Sequence, residues 1–384
     1  MNKIILFLVF VLTASLTLQA QENYKDISTE DNAKFYAGKT SYKVERYEEP
    51  DAASKPKNVI FLIGDGMGVS QIYAGITANL GEMYIQNFKK IGFQTTFSAK
   101  DYITDSAAAG TALATGEKTY NGAIGVDLKA KTVENIREKC EKQGMATGVV
   151  VTVSVTHATP AAFVAHQPQR SMYEAIAADF LKTDIDVFIG GGYKHFTERK
   201  DGMNLVDELE KKGYQVETEM NKIAKVKKGK LAGLISAEHP ASIEEGRGNM
   251  LETATKTAIN ILDNDPDGFF LMVEGSQIDW AGHQHNTSFL VTETHDFDKT
   301  VGIALEFAAK NKETLVIVTA DHETGGFSIN KGNMETGDVL GEFTTGDHTG
   351  VMIPVFAFGP GSDQFTGFYD NTDIPKKIEN LLKN

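Results

Sequence analysis

Asn58-Val59-Ile60-Phe61-Leu62-Ile63, followed at once by Gly64-Asp65-Gly66-Met67-Gly68, decides how this chain is read. The first six residues form an apolar run of strand length, and the run delivers an aspartate at its carboxyl end. Glycines on either side of Asp65 permit a tight turn and close approach of a ligand to the backbone. A nucleotide loop fails on spacing, because neither Gly64 nor Gly66 starts a G-x-G-x-x-G run and no Gly-Lys-Ser/Thr follows. Taken alone, the segment is a plain strand-to-helix turn.

The same pattern recurs along the chain. Further strands are expected at Phe93 to Phe97, Thr147 to Val151, Val187 to Ile189, Phe269 to Val273, Leu315 to Thr319 and Ile353 to Phe358. Helical patterns fall near 69–80, 105–115, 131–143, 171–183, 203–212, 249–263, 288–310 and 372–383. Such alternation predicts an α/β fold, with a large, mostly parallel central sheet and helices on both faces in three layers. No repeat or Pro/Ser-rich linker divides it, so residues 57–384 read as one domain. Peripheral insertions are expected near 194–248, richer in Lys and Glu, and near 330–346, a Gly-rich stretch suited to a hairpin or loop. Residues 21–56 read as a weakly structured lead-in.

Residues 1–20 have the basic start, apolar run and short polar end of a secretory signal, with cleavage expected after Ala20. No later run reaches the roughly 20 apolar residues of a membrane span. The expected product is exported, to the periplasm or beyond. Its only cysteine is Cys140, which excludes an internal disulfide, so stability must come from a large core. The formal charge of −14, made one unit more negative by loss of Lys3, argues against a nucleic-acid partner. For an anion-binding protein it makes sense only where cations are held in the site.

In open α/β sheets, ligands bind beyond the carboxyl ends of strands, and four such ends here carry acids or imidazoles. Beside Asp65 there are Glu274 through Asp279-Trp280-Ala281-Gly282-His283, then Asp321-His322, then Asp347-His348-Thr349-Gly350. Asp279 and His283, four apart, share one face of a helical turn. Mixed Asp/His sets are typical of zinc, and all-oxygen sets of magnesium. His166, His195, His239 and His295 lack such a setting and read as ordinary polar groups. His285, two residues past His283, would face away.

The segment Asp105-Ser106-Ala107-Ala108-Ala109-Gly110-Thr111-Ala112 adds a serine at the start of a helix of small residues, where anions also settle. Alone it reads as ordinary N-capping. No histidine precedes His157 to activate Ser106, so a reactive serine would need a metal to lower its pKa.

Together these motifs resemble the alkaline phosphatase family of secreted, metal-dependent phosphomonoesterases. The likeness spans about residues 57 to 360: Asp65 in its turn, residues 101–112 continuing through Thr119-Tyr120-Asn121-Gly122, His157-Ala158-Thr159-Pro160-Ala161, Glu274 through His283, Thr319 to His322, and His348-Thr349-Gly350. By resemblance, Ser106 is the nucleophile that becomes a phosphoserine, Arg170 grips phosphate and Asp105 orients Arg170. Asp279, His283 and His348 would hold one zinc. Asp65, Asp321 and His322 would hold a second, with Ser106 as a further ligand. Asp65, Thr159 and Glu274 would hold a third ion, usually Mg2+, with Zn2+ or Co2+ as alternatives. His157 and Trp280 stand where the best-known bacterial member has Asp and Lys, near the third ion and the phosphate.

Phosphate monoesters and inorganic phosphate are then the expected ligands, and a homodimer the expected assembly. A phosphodiesterase of the same superfamily and a non-catalytic phosphate or zinc binder are the alternatives. A sulfatase is disfavoured because Ser106 lacks the Cys/Ser-x-Pro-x-Arg context.

Overall fold

The computed structural model describes residues 34–38 and 41–383, so the expected signal segment lies outside the described residues. The run that opens the sequence argument forms the strand Asn58–Gly64, with all seven residues buried. It sits in the middle of a ten-stranded sheet. In spatial order the strands are Gly367–Asp370, Lys90–Thr95, Ile353–Phe358, Thr314–Thr319, Asn58–Gly64, Phe269–Gly275, Ala146–Ser154, Val187–Gly191, Leu231–Leu234 and Gln215–Glu217. Only Ile353–Phe358 runs antiparallel to its neighbours; every other pairing is parallel.

Strand side chains alternate between two apolar cores. Ile60, Leu62, Leu271, Val273, Val316 and Val318 face the layer of helices Val69–Ala78, Met250–Leu262 and Thr287–Asn311. Val59, Phe61, Ile63, Phe270, Met272 and Ile317 face the helices Ser106–Thr115, Ile136–Lys142, Tyr173–Phe180 and Asp373–Leu382. Burial on both faces explains why these strands read as unbroken apolar runs.

Some boundaries differ from expectation, each for a local reason. The strand expected at Phe93 to Phe97 is Lys90–Thr95. Its buried residues are Gly92 and Gln94 while Ile91 is exposed, so the aromatic residues do not mark the core face. Helix 131–143 shortens to Ile136–Lys142, because Asn135 and Glu138 form a capping box and Thr132 pairs with Val126 in a β-bridge.

Residues 194–248 add the two parallel strands Gln215–Glu217 and Leu231–Leu234 to one edge of the sheet. Residues Phe327–Asn333 and Asp338–Phe343 form an antiparallel hairpin, and Phe35–Tyr36 of the lead-in pairs with its outer strand. The lead-in is thus fastened to the body rather than trailing from it. Cys140 is buried, and burial raises its thiol pKa to about 12.

Candidate metal centre

Four neighbouring parallel strands end on the same side of the sheet, and three of them deliver the acids together. Asp65 follows Asn58–Gly64, Glu274 is the penultimate residue of Phe269–Gly275, and Asp321 and His322 follow Thr314–Thr319. Ile63 lies level with both Glu274 and Thr319, and Val151 is level with Glu274 on the far side. Past Ser154, the short helix Ala158–Ala162 brings in Thr159, with His157 at its N-cap. Helix Gln277–His283 puts Asp279 and His283 on one face, as their spacing implied.

Two three-residue groups could each hold an ion. Asp279, His283 and His348 form one, and Asp65, Asp321 and His322 the other; within each group the ligand atoms lie within 4.8 Å of one another. In the first, Asp279 Oδ1 is 3.3 Å from His283 Nε2 and 3.5 Å from His348 Nε2, and the two imidazole nitrogens are 3.2 Å apart. In the second, His322 Nε2 is 3.6 Å from Asp65 Oδ1 and 3.2 Å from Asp321 Oδ2. The far nitrogens are tied to backbone: His283 Nδ1 lies 2.7 Å from the Gly346 carbonyl and His348 Nδ1 2.8 Å from that of Thr104. Backbone acceptors there hold the proton on Nδ1 and turn Nε2 inward as a ligand.

The groups share a wall. His322 and His348 stack with ring centroids 3.5 Å apart, and the Thr324 hydroxyl donates to Asp279 Oδ1 while lying 3.2 Å from His322 Nδ1. A small ladder holds this wall, pairing Thr324 with His348 and Glu323 with Thr349. Behind it the buried Glu323 carboxylate accepts from Gln71 Nε2 at 2.7 Å and from the Phe327 N–H at 3.0 Å. Neither Thr324 nor Glu323 is marked in the sequence by anything beyond following Asp321-His322.

Ser106 is the first residue of its helix, and its Oγ lies 3.3 Å from His322 Nε2. The cap is Asp105 instead, whose Oδ1 accepts from the Ala108 N–H at 2.9 Å. Its other oxygen accepts from the Gly122 N–H at 2.9 Å and from Arg170 Nη1 at 3.1 Å. Arg170 Nη2 in turn lies 3.5 Å from His157 Nε2. The capping reading of the segment is therefore correct for the aspartate, and it leaves the serine hydroxyl facing the candidate metal groups.

Electrostatics at the centre call for cations. Asp65 is fully buried, and burial together with Asp321, Asp279 and Glu274 pushes its carboxyl well above the usual range. Burial raises Glu274 to about 7. Burial would raise Asp279 too, but the imidazoles of His283, His348 and His322 outweigh it and hold the carboxyl well below the usual range. Both Asp65 oxygens, Asp321 Oδ2, both Glu274 oxygens and the Thr159 hydroxyl are buried without a well-formed hydrogen bond. Buried carboxylate oxygens so placed are costly unless an ion takes them, and the mixed Asp/His and all-oxygen donor sets fit divalent metals.

Trp280 and His157 line the outer wall, their rings nearly perpendicular at 6.4 Å. His239, which has no metal-like setting in the sequence, joins them. His166 instead pairs with Glu138, and His295 bonds the Gly75 carbonyl, both away from the centre.

Residues 56–341 match the family model for alkaline phosphatase. Alkaline phosphatase 3 of Bacillus subtilis (strain 168) is 35% identical, over 85% of this chain and 89% of its own length. The solved structure of alkaline phosphatase from the Antarctic bacterium TAB5 is 43% identical, covers 86% of this chain and 98% of that one, and superposes with a TM-score of 0.81. A variant of the TAB5 enzyme, described with Mg bound in its M3 site, is 42% identical over 86% of this chain and 99% of that one, with a TM-score of 0.82.

Proposed function

The chain belongs to the alkaline phosphatase family of phosphomonoester hydrolases, and from that premise we propose that it cleaves phosphate monoesters through a phosphoserine on Ser106. The observation that carries this reading is the Ser106 hydroxyl, set 3.3 Å from His322 at the wall shared by two three-residue metal groups. In this assignment Asp279, His283 and His348 hold one Zn2+, and Asp65, Asp321 and His322 hold a second, close to Ser106. Asp65, Thr159 and Glu274 take a third ion of the Mg2+ type, as hard oxygen donors suit. Bound there, divalent cations lower the pKa of the serine hydroxyl and offset charge on the attacking and leaving oxygens.

The remaining roles belong to the chain's own side chains. Ser106 Oγ attacks phosphorus in line, the phosphorus–ester oxygen bond breaks, and the alcohol departs. Water then attacks the phosphoserine, releasing inorganic phosphate and returning the proton to Ser106. Arg170 spans two equatorial phosphoryl oxygens with its planar fork. Asp105 holds that fork at the angle it needs, while capping the helix that carries the nucleophile. Preference for monoesters follows, since a diester would place a second substituent where Arg170 grips.

Export through the first 20 residues, to the periplasm or beyond, and assembly as a homodimer belong to the same proposal. Among the described residues no helix is long and apolar enough to cross a membrane.

The test compares p-nitrophenyl phosphate with bis-p-nitrophenyl phosphate at alkaline pH, for wild type and Ser106→Ala, before and after chelation and with zinc and magnesium restored. Monoester turnover is expected to vanish with chelator and return with the metals. In Ser106→Ala it should fall by about a thousandfold or more, the scale of losing a positioned nucleophile. Undiminished hydrolysis by Ser106→Ala would sink the phosphoserine route, and equal turnover of the diester would remove the monoester preference.

A further inference from the structure

The site's outer wall contains a residue to which neither the sequence nor the family likeness gives a role. His239 comes from the segment between strand Leu231–Leu234 and helix Met250–Leu262, far from the metal ligands in sequence. Its ring meets Trp280 at 4.9 Å with the planes at 89°, and His157 at 5.7 Å with the planes at 86°. These are edge-to-face contacts, the arrangement aromatic rings prefer. The Ser154 N–H donates to His239 Nδ1 at 3.1 Å, which requires the neutral ring with its proton on Nε2 and fixes the ring about its χ angles.

The segment that carries His239 is built to hold still. The Pro240 carbonyl accepts from Gln277 Nε2 at 3.0 Å, and the same nitrogen donates to the Thr152 carbonyl, tying the segment to the site helix and the sheet. The Ile243 N–H donates to Glu293 Oε1 at 2.8 Å. Arg247, itself buried, pairs with Glu293 and, at 2.9 Å, with Asp296 on helix Thr287–Asn311. On the other side, the Glu238 carbonyl packs so tightly over Gly191 that a Cβ there would lie 2.0 Å from it. These bonds anchor the segment to the sheet and to two helices.

We infer that His239 is a positioning residue of the phosphate site: its ring fixes the planes of Trp280 and His157 and, through His157, the guanidinium of Arg170. The inference rests on the proposed phosphate role of Arg170 and goes beyond it, because it gives a role in that site to a residue from outside the strand ends. It follows that phosphate affinity is set partly from the 236–248 segment rather than only at the strand ends.

Trp280 is the only tryptophan in the chain, so red-edge excitation reads the surroundings of this one side chain. The experiment uses the full metal-loaded protein and compares wild type with His239→Ala, His239→Asn, which keeps an acceptor for the Ser154 N–H but loses the ring, and His239→Phe, which keeps a ring. Three quantities are measured: Trp280 emission and acrylamide quenching, the Kd for inorganic phosphate from the Trp280 signal, and bound zinc and magnesium. The Ala and Asn variants are expected to shift Trp280 emission to longer wavelength and increase quenching. Their phosphate Kd should weaken by about threefold to tenfold, the factor an edge-to-face ring contact is worth, at unchanged metal content. His239→Phe should stay within about twofold of wild type. Should His239→Ala not fold, the Asn and Phe pair carries the test.

Altered emission with unchanged phosphate Kd would reduce His239 to packing and overturn the inference. Unchanged emission, whatever the Kd does, would overturn it as well. Wild-type protein that binds no phosphate would instead bring down the proposed function on which the inference stands.

Discussion

At Gly66 the metal centre depends on the absence of a side chain. Its φ is +74°, and a Cβ there would lie 2.7 Å from Asp279 Cα and 2.8 Å from Thr324 Oγ1. Its N–H also donates to Asp321 Oδ1 at 3.2 Å, so one glycine touches both metal groups. Gly66→Ala combines left-handed strain with overpacking and should destabilise the protein by about 2–5 kcal/mol. Zinc content measured on the purified variant should fall below two ions per chain; full zinc with wild-type melting would refute the close-approach argument. Asp105 makes a different kind of residue-scale case, since one carboxylate caps the helix and orients Arg170. In Asp105→Asn the carbonyl oxygen can keep only one of those duties, and the amide must meet either the Ala108 N–H or the Gly122 N–H and Arg170 donor to donor. We expect KM and the phosphate inhibition constant to rise by about tenfold or more while the protein loses about 1–3 kcal/mol, as when a half-buried charge-assisted pair is broken. Steady-state kinetics with chemical denaturation checks both, and a change in kcat alone would contradict the orienting role. The two candidate metal groups were legible at this scale because strand ends are few and acids on them stand out. Thr324 and His239 were not, because a short ladder and a distant anchored segment bring them in, and neither leaves a periodic signal.

Helix Ser106–Thr115 shows what its small residues are for once the neighbouring element is seen. All ten residues are buried, and at Gly110 an added Cβ would lie 3.3 Å from Thr159 Cα and 3.4 Å from Ala162 Cβ. Helix Ala158–Ala162, carrying Thr159 and capped at His157, can therefore lie almost against the backbone of the helix that begins at Ser106. Gly110→Val should force the two apart, at a cost of about 1–3 kcal/mol for the inserted methyls. Because Thr159 moves and the six residues of the two metal groups do not, magnesium binding should weaken while zinc content stays at wild-type level. Isothermal titration with magnesium on the zinc-loaded variant reads this directly, and equal loss of both metals would mean the damage is general. Among elements, length decided legibility. Fully buried strands and the long helix Thr287–Asn311 were readable to within three residues at each end. The strands Gln215–Glu217 and Leu231–Leu234 and the helices Ala158–Ala162 and Tyr193–Thr197 are too short to show a period. The Lys- and Glu-rich composition of 194–248 reflects an exposed sheet edge, and it masked strands that belong to the sheet itself.

Across the whole molecule, the sheet separates two cores, and one buried acid helps to staple the lead-in to one of them. Asp298, in the middle of helix Thr287–Asn311, accepts from the Tyr42 hydroxyl at 2.6 Å, the Tyr84 N–H at 2.7 Å and the Ile85 N–H at 2.9 Å. It thereby joins the lead-in, the turn at Tyr84–Asn87 and the longest helix. Burial raises its carboxyl to about 6, against these three donors, which favour the ionised form. The folded pKa lies above the unfolded value of 3.8, so the group's contribution is fully present below that value and fades as pH rises through about 6. The shift corresponds to about 3 kcal/mol at most. Asp298→Asn carries no such titration, and its amide must turn a donor toward one of the three donors it faces. The variant should therefore be less stable than wild type, with a penalty larger at pH 4 than at pH 7.5. Metal release on acidification affects both proteins alike and cancels in the difference between them. Urea unfolding of the two chains in parallel across that range, with chelator throughout, gives the curve. A penalty that stays flat or grows with pH would show that the three donors, rather than burial, set the state of this carboxyl.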